Sequence, residues 1–194
     1  MKLIGICGGS GTGKTTICNQ LASLGAYVID ADRVAREILR PPVLAQLRRA
    51  FGENILLADG SLDRKKLGKL VFNDGEQLKK LNEITHPLIT QEILDDIERH
   101  REQYDSIVVD AAVLHDAGLD RLCDLTVAVC APPDTRLSRI MARDGISREA
   151  ALARIRAQKD DEYYIKHTDF AVCNGQNADA EALARTILEK VEQT

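Results

Sequence analysis

The sequence predicts an α/β protein, a parallel sheet buried between helical layers with a phosphate-binding loop on its first strand. Five apolar runs of strand length carry the first part: Leu3 to Cys7, Tyr27 to Ile29, Ile107 to Val109, Leu125 to Cys130 and Phe170 to Cys173. They are nearly continuous rather than alternating, as in strands covered on both faces. Helical periodicity fills the intervals between them, which supplies the covering layers. The loop is Gly8-Gly9-Ser10-Gly11-Thr12-Gly13-Lys14-Thr15, which fits G-x-x-x-x-G-K-[ST] in a strand–loop–helix setting.

The helix after the loop is expected from about Lys14 to Leu24, ending at Gly25, where a left-handed cap is cheap. A right-handed crossover returns the chain to the sheet at Tyr27. From Arg33 to Gln103 no run reads as a strand. Helical patterns occur instead, with Ala45, Leu47, Ala50 and Phe51, then Leu78, Leu81, Ile84, Ile89, Ile93 and Ile97, so a helical insertion opens near Pro41-Pro42. From Thr135 to Thr168 the chain is rich in charge, and Asp144-Gly145 is expected to split it into two helices. A mobile basic pair of helices beside a phosphate site reads as a lid. The expected division is a core of 1–38, 105–134 and 168–194, an insertion of 39–104 and a lid of 135–167, all in one domain.

The loop chemistry follows from residue type. Gly8, Gly9, Gly11 and Gly13 allow positive φ and let successive N–H groups converge on an anion. The helix opening near Gly13 adds the positive end of its dipole, Lys14 reaches the β and γ phosphates, and the Thr15 hydroxyl suits Mg²⁺. The strand end Asp30-Ala31-Asp32 lies at the carboxyl edge of such a sheet, where one acid can take a proton and another can help hold Mg²⁺ through water. Asp32 is favoured as the base, because its neighbour can cap the next helix. Ser106 to Asp110 resembles a second strand ending in a magnesium-associated acid. Arg136, Arg139 and Arg143 share one helical face suited to phosphoryl charge. Arg64 and His86 are weak signals on their own.

Composition narrows the class. Lys and Arg total 26 against 30 Asp and Glu in 194 residues, and this balance offers no electrostatic reason to expect nucleic acid. No apolar run approaches a membrane span, so a cytoplasmic protein is expected, monomeric or a small homo-oligomer. Cys7, Cys18, Cys123, Cys130 and Cys173 have no zinc-like spacing and read as small buried hydrophobes in a reducing compartment. No N-K-x-D occurs and no D-x-x-G follows the loop at a switch position, which argues against a regulatory GTPase.

The ordered set of motifs resembles the dephospho-CoA kinase family over essentially the whole chain. It comprises the loop from Gly8 to Thr16, Val28-Ile29-Asp30-Ala31-Asp32, Leu62-Asp63-Arg64 with Leu67 and Val71-Phe72, and Ile84-Thr85-His86-Pro87-Leu88-Ile89. It continues with Arg139 to Gly145, Ala153 to Gln158, and Asn174-Gly175. The resemblance implies a P-loop NTPase, adenylate-kinase-like core of five parallel strands, a helical acceptor-binding insertion and a closing lid. It also implies MgATP and dephospho-CoA as substrates. Carried over by position, Asp32 is the base, Lys14 and Thr15 handle phosphates and Mg²⁺, and Gly8, Gly11, Thr12, Gly13 and Thr16 complete the ATP loop. Arg139 clamps phosphates, Asn174-Gly175 border adenine, and Arg64, His86 and Asp116 lie on the acceptor side. Two places depart from the family. Asp110 to Asp116 reads DAAVLHD where the family often has D-V-P-L-L-F-E, and Cys7 and Ser10 stand where threonine and an aliphatic residue are common. Another nucleoside or nucleotide kinase shares this logic, and a non-catalytic ATP-dependent switch shares the loop.

Overall fold

The computed structural model describes all residues except Asn73 and Val113, and all side chains but that of Phe72. The side chain of the family-like Phe72, and Val113 within the departing segment Asp110 to Asp116, therefore lie outside what is described. The strands are β1 (Lys2–Cys7), β2 (Tyr27–Asp30), β3 (Ser106–Asp110), β4 (Leu125–Cys130) and β5 (Phe170–Cys173). All pair in parallel in the order β2-β3-β1-β4-β5. The chain leaves β1 toward one side and later returns to its other side, so the order reverses at β1. In a sheet of this kind the crevice for ligands opens beyond the carboxyl ends of the strands at that reversal.

The first strand ends in the glycine loop and runs into α1 (Lys14–Ser23). Helix α1 stops one residue short of the sequence expectation, with Leu24 as cap and Gly25 at φ 100°. Ile17, Cys18 and Leu21 of α1 pack with Ile4 and Ile6 of β1, Val127 of β4, and Ile187 and Val191 of α9 (Ala180–Glu192). The sheet is therefore buried where its strands read as continuous apolar runs.

The described chain divides into two compact units, Met1–Asp30 with Ile97–Thr194, and Ala31–Asp96. The second holds α2 (Ala31–Glu37), α3 (Pro41–Phe51), α4 (Arg64–Phe72) and most of α5 (Gly75–His100). Its own core is built on Val43, Leu47, Ile55, Leu67 and Val71. Pro41 and Pro42 open α3, where a missing N–H costs no helical hydrogen bond. No strand occurs there among the described residues; Leu56 and Leu62 make an isolated antiparallel bridge.

In the 133–166 region the structure corrects the expected two helices to three: α6 (Pro133–Asp144), α7 (Arg148–Arg156) and α8 (Asp161–Lys166). Gly145 in the left-handed region ends α6 as expected. The second break follows from Asp160, whose carboxylate accepts the Tyr163 N–H at 2.8 Å and starts α8. Leu137, Ile140 and Ala151 form a small core between α6 and α7. The cysteines are also corrected in part. Cys7, Cys18 and Cys130 are buried, but Cys123 is half-buried and Cys173 exposed, because β5 is an edge strand. Burial pushes the Cys7 thiol up to about 12, the Cys123 thiol to about 12 and that of Cys130 to about 11. Thiols held this way are inert at neutral pH.

Candidate functional site

The loop between β1 and α1 adopts the conformation its glycines permit. Gly8, Gly11 and Gly13 have φ of 143°, 80° and 87°. A Cβ on Gly8 would overlap the Val129 carbonyl, and one on Gly13 the Asn174 carboxamide. Both positions therefore need glycine twice, for the dihedral and for the space. Thr12 is fully buried and its hydroxyl donates to the Gly9 carbonyl at 2.9 Å. Among the described residues the N–H groups of Gly11, Gly13, Lys14, Thr15 and Thr16 make no hydrogen bond. They form a row of donors at a helix N-terminus, the arrangement that receives phosphate.

Lys14 and the strand-end acids converge as the sequence suggests. The register pairs Ile6 with Asp110 and Asp30 with Asp110, so both acids lie at the carboxyl edge beside the loop. Lys14 Nζ is 3.6 Å from Asp110 Oδ1, each side chain being 16% exposed. Behind them, burial and the Asp110 charge raise the Cys18 thiol. Thr15 and Thr16 are exposed on the first turn of α1. Among the described residues no cluster of three or more His, Cys, Asp or Glu forms a metal cage. The Thr15 hydroxyl and these carboxylates are nonetheless hard oxygen donors that fit Mg²⁺, which takes few protein ligands and completes its shell with water and phosphate.

The three arginines of α6 have different fates. Arg139 turns its guanidinium to carbonyls: Nη1 donates to Asn174 O at 3.0 Å, Thr12 O at 3.2 Å and Gly11 O at 3.4 Å, and Nη2 donates to Gly175 O at 3.0 Å. Asn174, also buried, donates from Nδ2 to Thr12 O at 3.0 Å. Arg139 and Asn174-Gly175 thus join the end of β5 to the loop. Arg136 is 5% exposed and pairs with Asp161 at 2.8 Å, and its Nη2, buried beside Gly9, has no partner among the described residues. Arg143 is exposed and pairs with Asp144, which also meets Arg154. The single arginine face of the sequence is therefore divided into a buried pair, a backbone clamp and a surface cation.

Sequence reasoning placed Gln158, which follows α7, in the Ala153 to Gln158 motif but gave it no role. Its Oε1 accepts the Ser10 N–H at 2.6 Å. No local pattern marks this contact. Two departures from the family pattern also meet: Cys7 Sγ lies 4.0 Å from His115 Nε2, while His115 Nδ1 is 3.4 Å from Asp120. Asp116 is exposed, in a small cleft with His115, Lys159 and Tyr163.

In the second unit Asp32 is exposed in the first turn of α2. Arg64 opens α4 and donates to the Arg36 carbonyl at 3.3 Å, and His86 is half-buried on α5. The structure thus brings Lys14, Thr15, Asp110, Arg139 and Asn174 together at the loop, with Arg64 and His86 in the helical unit.

Comparison with known proteins agrees with this arrangement. The dephospho-CoA kinase family model matches residues 2–187. A dephospho-CoA kinase of Carboxydothermus hydrogenoformans is 43% identical over 98% of this chain and 94% of its own length. One of Listeria monocytogenes is 38% identical over 91% and 90%. Among solved structures, a Thermus thermophilus protein superposes with a TM-score of 0.83 at 32% identity, covering 99% of this chain and 97% of that one. Dephospho-CoA kinase from Campylobacter jejuni gives 0.70 at 28%, covering 98% and 97%. Shikimate kinase from Acinetobacter baumannii, at 15% identity and a TM-score of 0.57, shares the P-loop kinase fold alone. With residues 2–187 matched, from the loop through both helical regions, the chain belongs to the dephospho-CoA kinase family.

Proposed function

We propose that this protein transfers the γ-phosphoryl group of ATP to the ribose 3′-hydroxyl of dephospho-CoA, giving coenzyme A and ADP. The observation that carries the reading is the assembled loop: a row of free N–H donors, Lys14 against Asp110, and a match to one kinase family over residues 2–187. The loop N–H groups and Lys14 hold the β and γ phosphates and meet the charge that develops in transfer. Gly8, Gly11, Gly13 and Thr12 shape that cradle, and Thr16 flanks it. Arg139 and Asn174-Gly175 keep its far wall in place and border the nucleotide. Asp32 accepts the proton of the attacking hydroxyl. Arg64, His86 and Asp116 serve the acceptor side.

The Thr15 hydroxyl and the Asp110 carboxylate would hold Mg²⁺, which would supply charge neutralisation at the phosphates. The reaction takes place in the cytoplasm: no helix among the described residues is long and apolar enough to cross a membrane, and all five thiols are free. The working form is a monomer or a small homo-oligomer.

The test is ADP release with MgATP and, in turn, dephospho-CoA, adenosine, AMP, a pyrimidine nucleotide and no acceptor, with the mass of the product determined. Stimulation by dephospho-CoA with gain of one phosphate is expected. Preference for another acceptor would keep the ATP site and overturn the substrate, and no stimulation by any acceptor would favour a nucleotide-dependent switch.

A further inference from the structure

Every polar group of Ser10 is taken by residues of the 133–166 region. Its N–H donates to Gln158 Oε1 at 2.6 Å, its carbonyl accepts from Arg136 Nε at 3.0 Å, and its hydroxyl accepts from Arg143 Nη2 at 3.4 Å. The first of these bonds fixes the orientation of a side-chain amide. A backbone N–H can only donate, so the atom facing it must be the Gln158 oxygen and the NH₂ group must face elsewhere. Amide bond lengths place that nitrogen about 2.2 Å from the oxygen, and therefore within about 5 Å of the Ser10 nitrogen. Among the described residues the NH₂ group meets no acceptor, and Gln158 is half-buried.

The loop thus spends one N–H, at Ser10, on a neighbouring side chain and keeps those from Gly11 through Thr16, Thr12 apart, open. Phosphates of a diphosphate fill the row that starts the helix. A third phosphate extends toward the arm of the loop that contains Ser10, where the two carboxamide hydrogens of Gln158 add open uncharged donors beside the Gly11 N–H. Arg143 adds a cation there, but its charge is shared with Asp144 at 2.8 and 3.0 Å.

We propose that Gln158 donates from Nε2 to the terminal phosphoryl group of the bound nucleoside triphosphate and so makes the loop prefer a triphosphate over a diphosphate. The Ser10 N–H is the fixed point that aims the carboxamide, and Arg136 holds that peptide from behind. The inference rests on the loop being the ATP site, and it does not depend on which acceptor the enzyme uses.

The experiment measures affinity for ADP and for a non-hydrolysable ATP analogue, both with Mg²⁺ and without acceptor, on the full-length protein. Gln158→Glu keeps an oxygen for Ser10 but replaces the donors with a negative charge. It should weaken the ATP analogue about tenfold or more, a change of about 1.4 kcal/mol, while ADP shifts less than twofold. Gln158→Leu removes acceptor and donors together at similar volume, and should also weaken the ATP analogue more than ADP. Equal losses for both nucleotides in the two variants would mean that the carboxamide only braces the loop, and no loss in either would remove it from the site. Both results overturn the proposal. Thermal unfolding of each variant shows whether the fold is intact. Because no acceptor is present, failure here leaves the acceptor assignment standing, and failure of dephospho-CoA in the ADP-release assay leaves this test intact.

Discussion

Of the aspartates that flank the strands of the sheet, two at the amino-terminal edge and two at the carboxyl-terminal edge behave differently. At the amino-terminal edge Asp124 accepts the Leu3 N–H at 2.7 Å, and Asp169 accepts the Thr126 N–H at 2.8 Å and its hydroxyl at 2.6 Å. These carboxylates are pins that start strands β1 and β4 in register. At the carboxyl-terminal edge Asp30 and Asp110 are register partners, and Asp110 faces Lys14. In a parallel sheet an acid before an apolar run points to the closed edge and an acid after it to the crevice. Chain direction, readable in the sequence, separates a structural acid from a chemical one.

Substitutions at the two edges sharpen that contrast. Lys14→Ala should have the largest effect, lowering turnover about a thousandfold and weakening nucleotide binding together, because it removes the positive charge at the transferring phosphoryl group. ADP release and nucleotide affinity measure both. Asp32→Ala should lose about a hundredfold or more in turnover while ATP binding stays near wild type; unchanged turnover would remove Asp32 from the role of base. Asp110→Asn should cost about tenfold in turnover, with an unfolding temperature near that of the parent, since the side chain helps hold Lys14 rather than the fold.

The smallest catalytic effect belongs to the amino-terminal edge. Asp169→Asn should leave turnover near wild type and reduce stability by about 1 kcal/mol at neutral pH. The Thr126 hydroxyl first, and then the Thr126 N–H, hold the Asp169 carboxyl below the usual carboxylate range. A depressed folded value means that the contribution is complete above the unfolded value of about 3.9 and is lost as pH falls through the folded one. Denaturant unfolding between neutral pH and pH 3 should therefore show a steeper acid decline in the parent than in the variant. Loss of turnover in Asp169→Asn with normal stability would break the comparison.

Much of the fold is legible along the chain because its signals are local. Continuous apolar runs mark buried strands, and the loop carries its own conformational code in glycine. At Asp160 a helix start went unread, since the Asp-Asp pair looks like part of a charged stretch until its carboxylate is seen on the Tyr163 N–H. The site was legible where one residue type has one role. Lys14 and Asp110 lie together at the carboxyl edge, where the sequence placed them. The arginines were not legible in this way, because a guanidinium serves equally as anion ligand, carbonyl clamp or buried ion-pair partner, and the neighbours that choose lie far away in sequence.

By itself the sequence determined the parallel strands, the phosphate loop, the helical insertion and the family, each encoded by neighbours a few residues apart or by an ordered set of motifs. Only the tertiary structure decided that Arg139 grips Asn174 and Gly175, that Arg136 is buried against Asp161, and that Gln158 is aimed by Ser10. The Ser10–Gln158 bond spans 148 residues of chain. Hydrogen bonds of that reach depend on how whole elements pack, and no local periodicity or propensity carries their geometry.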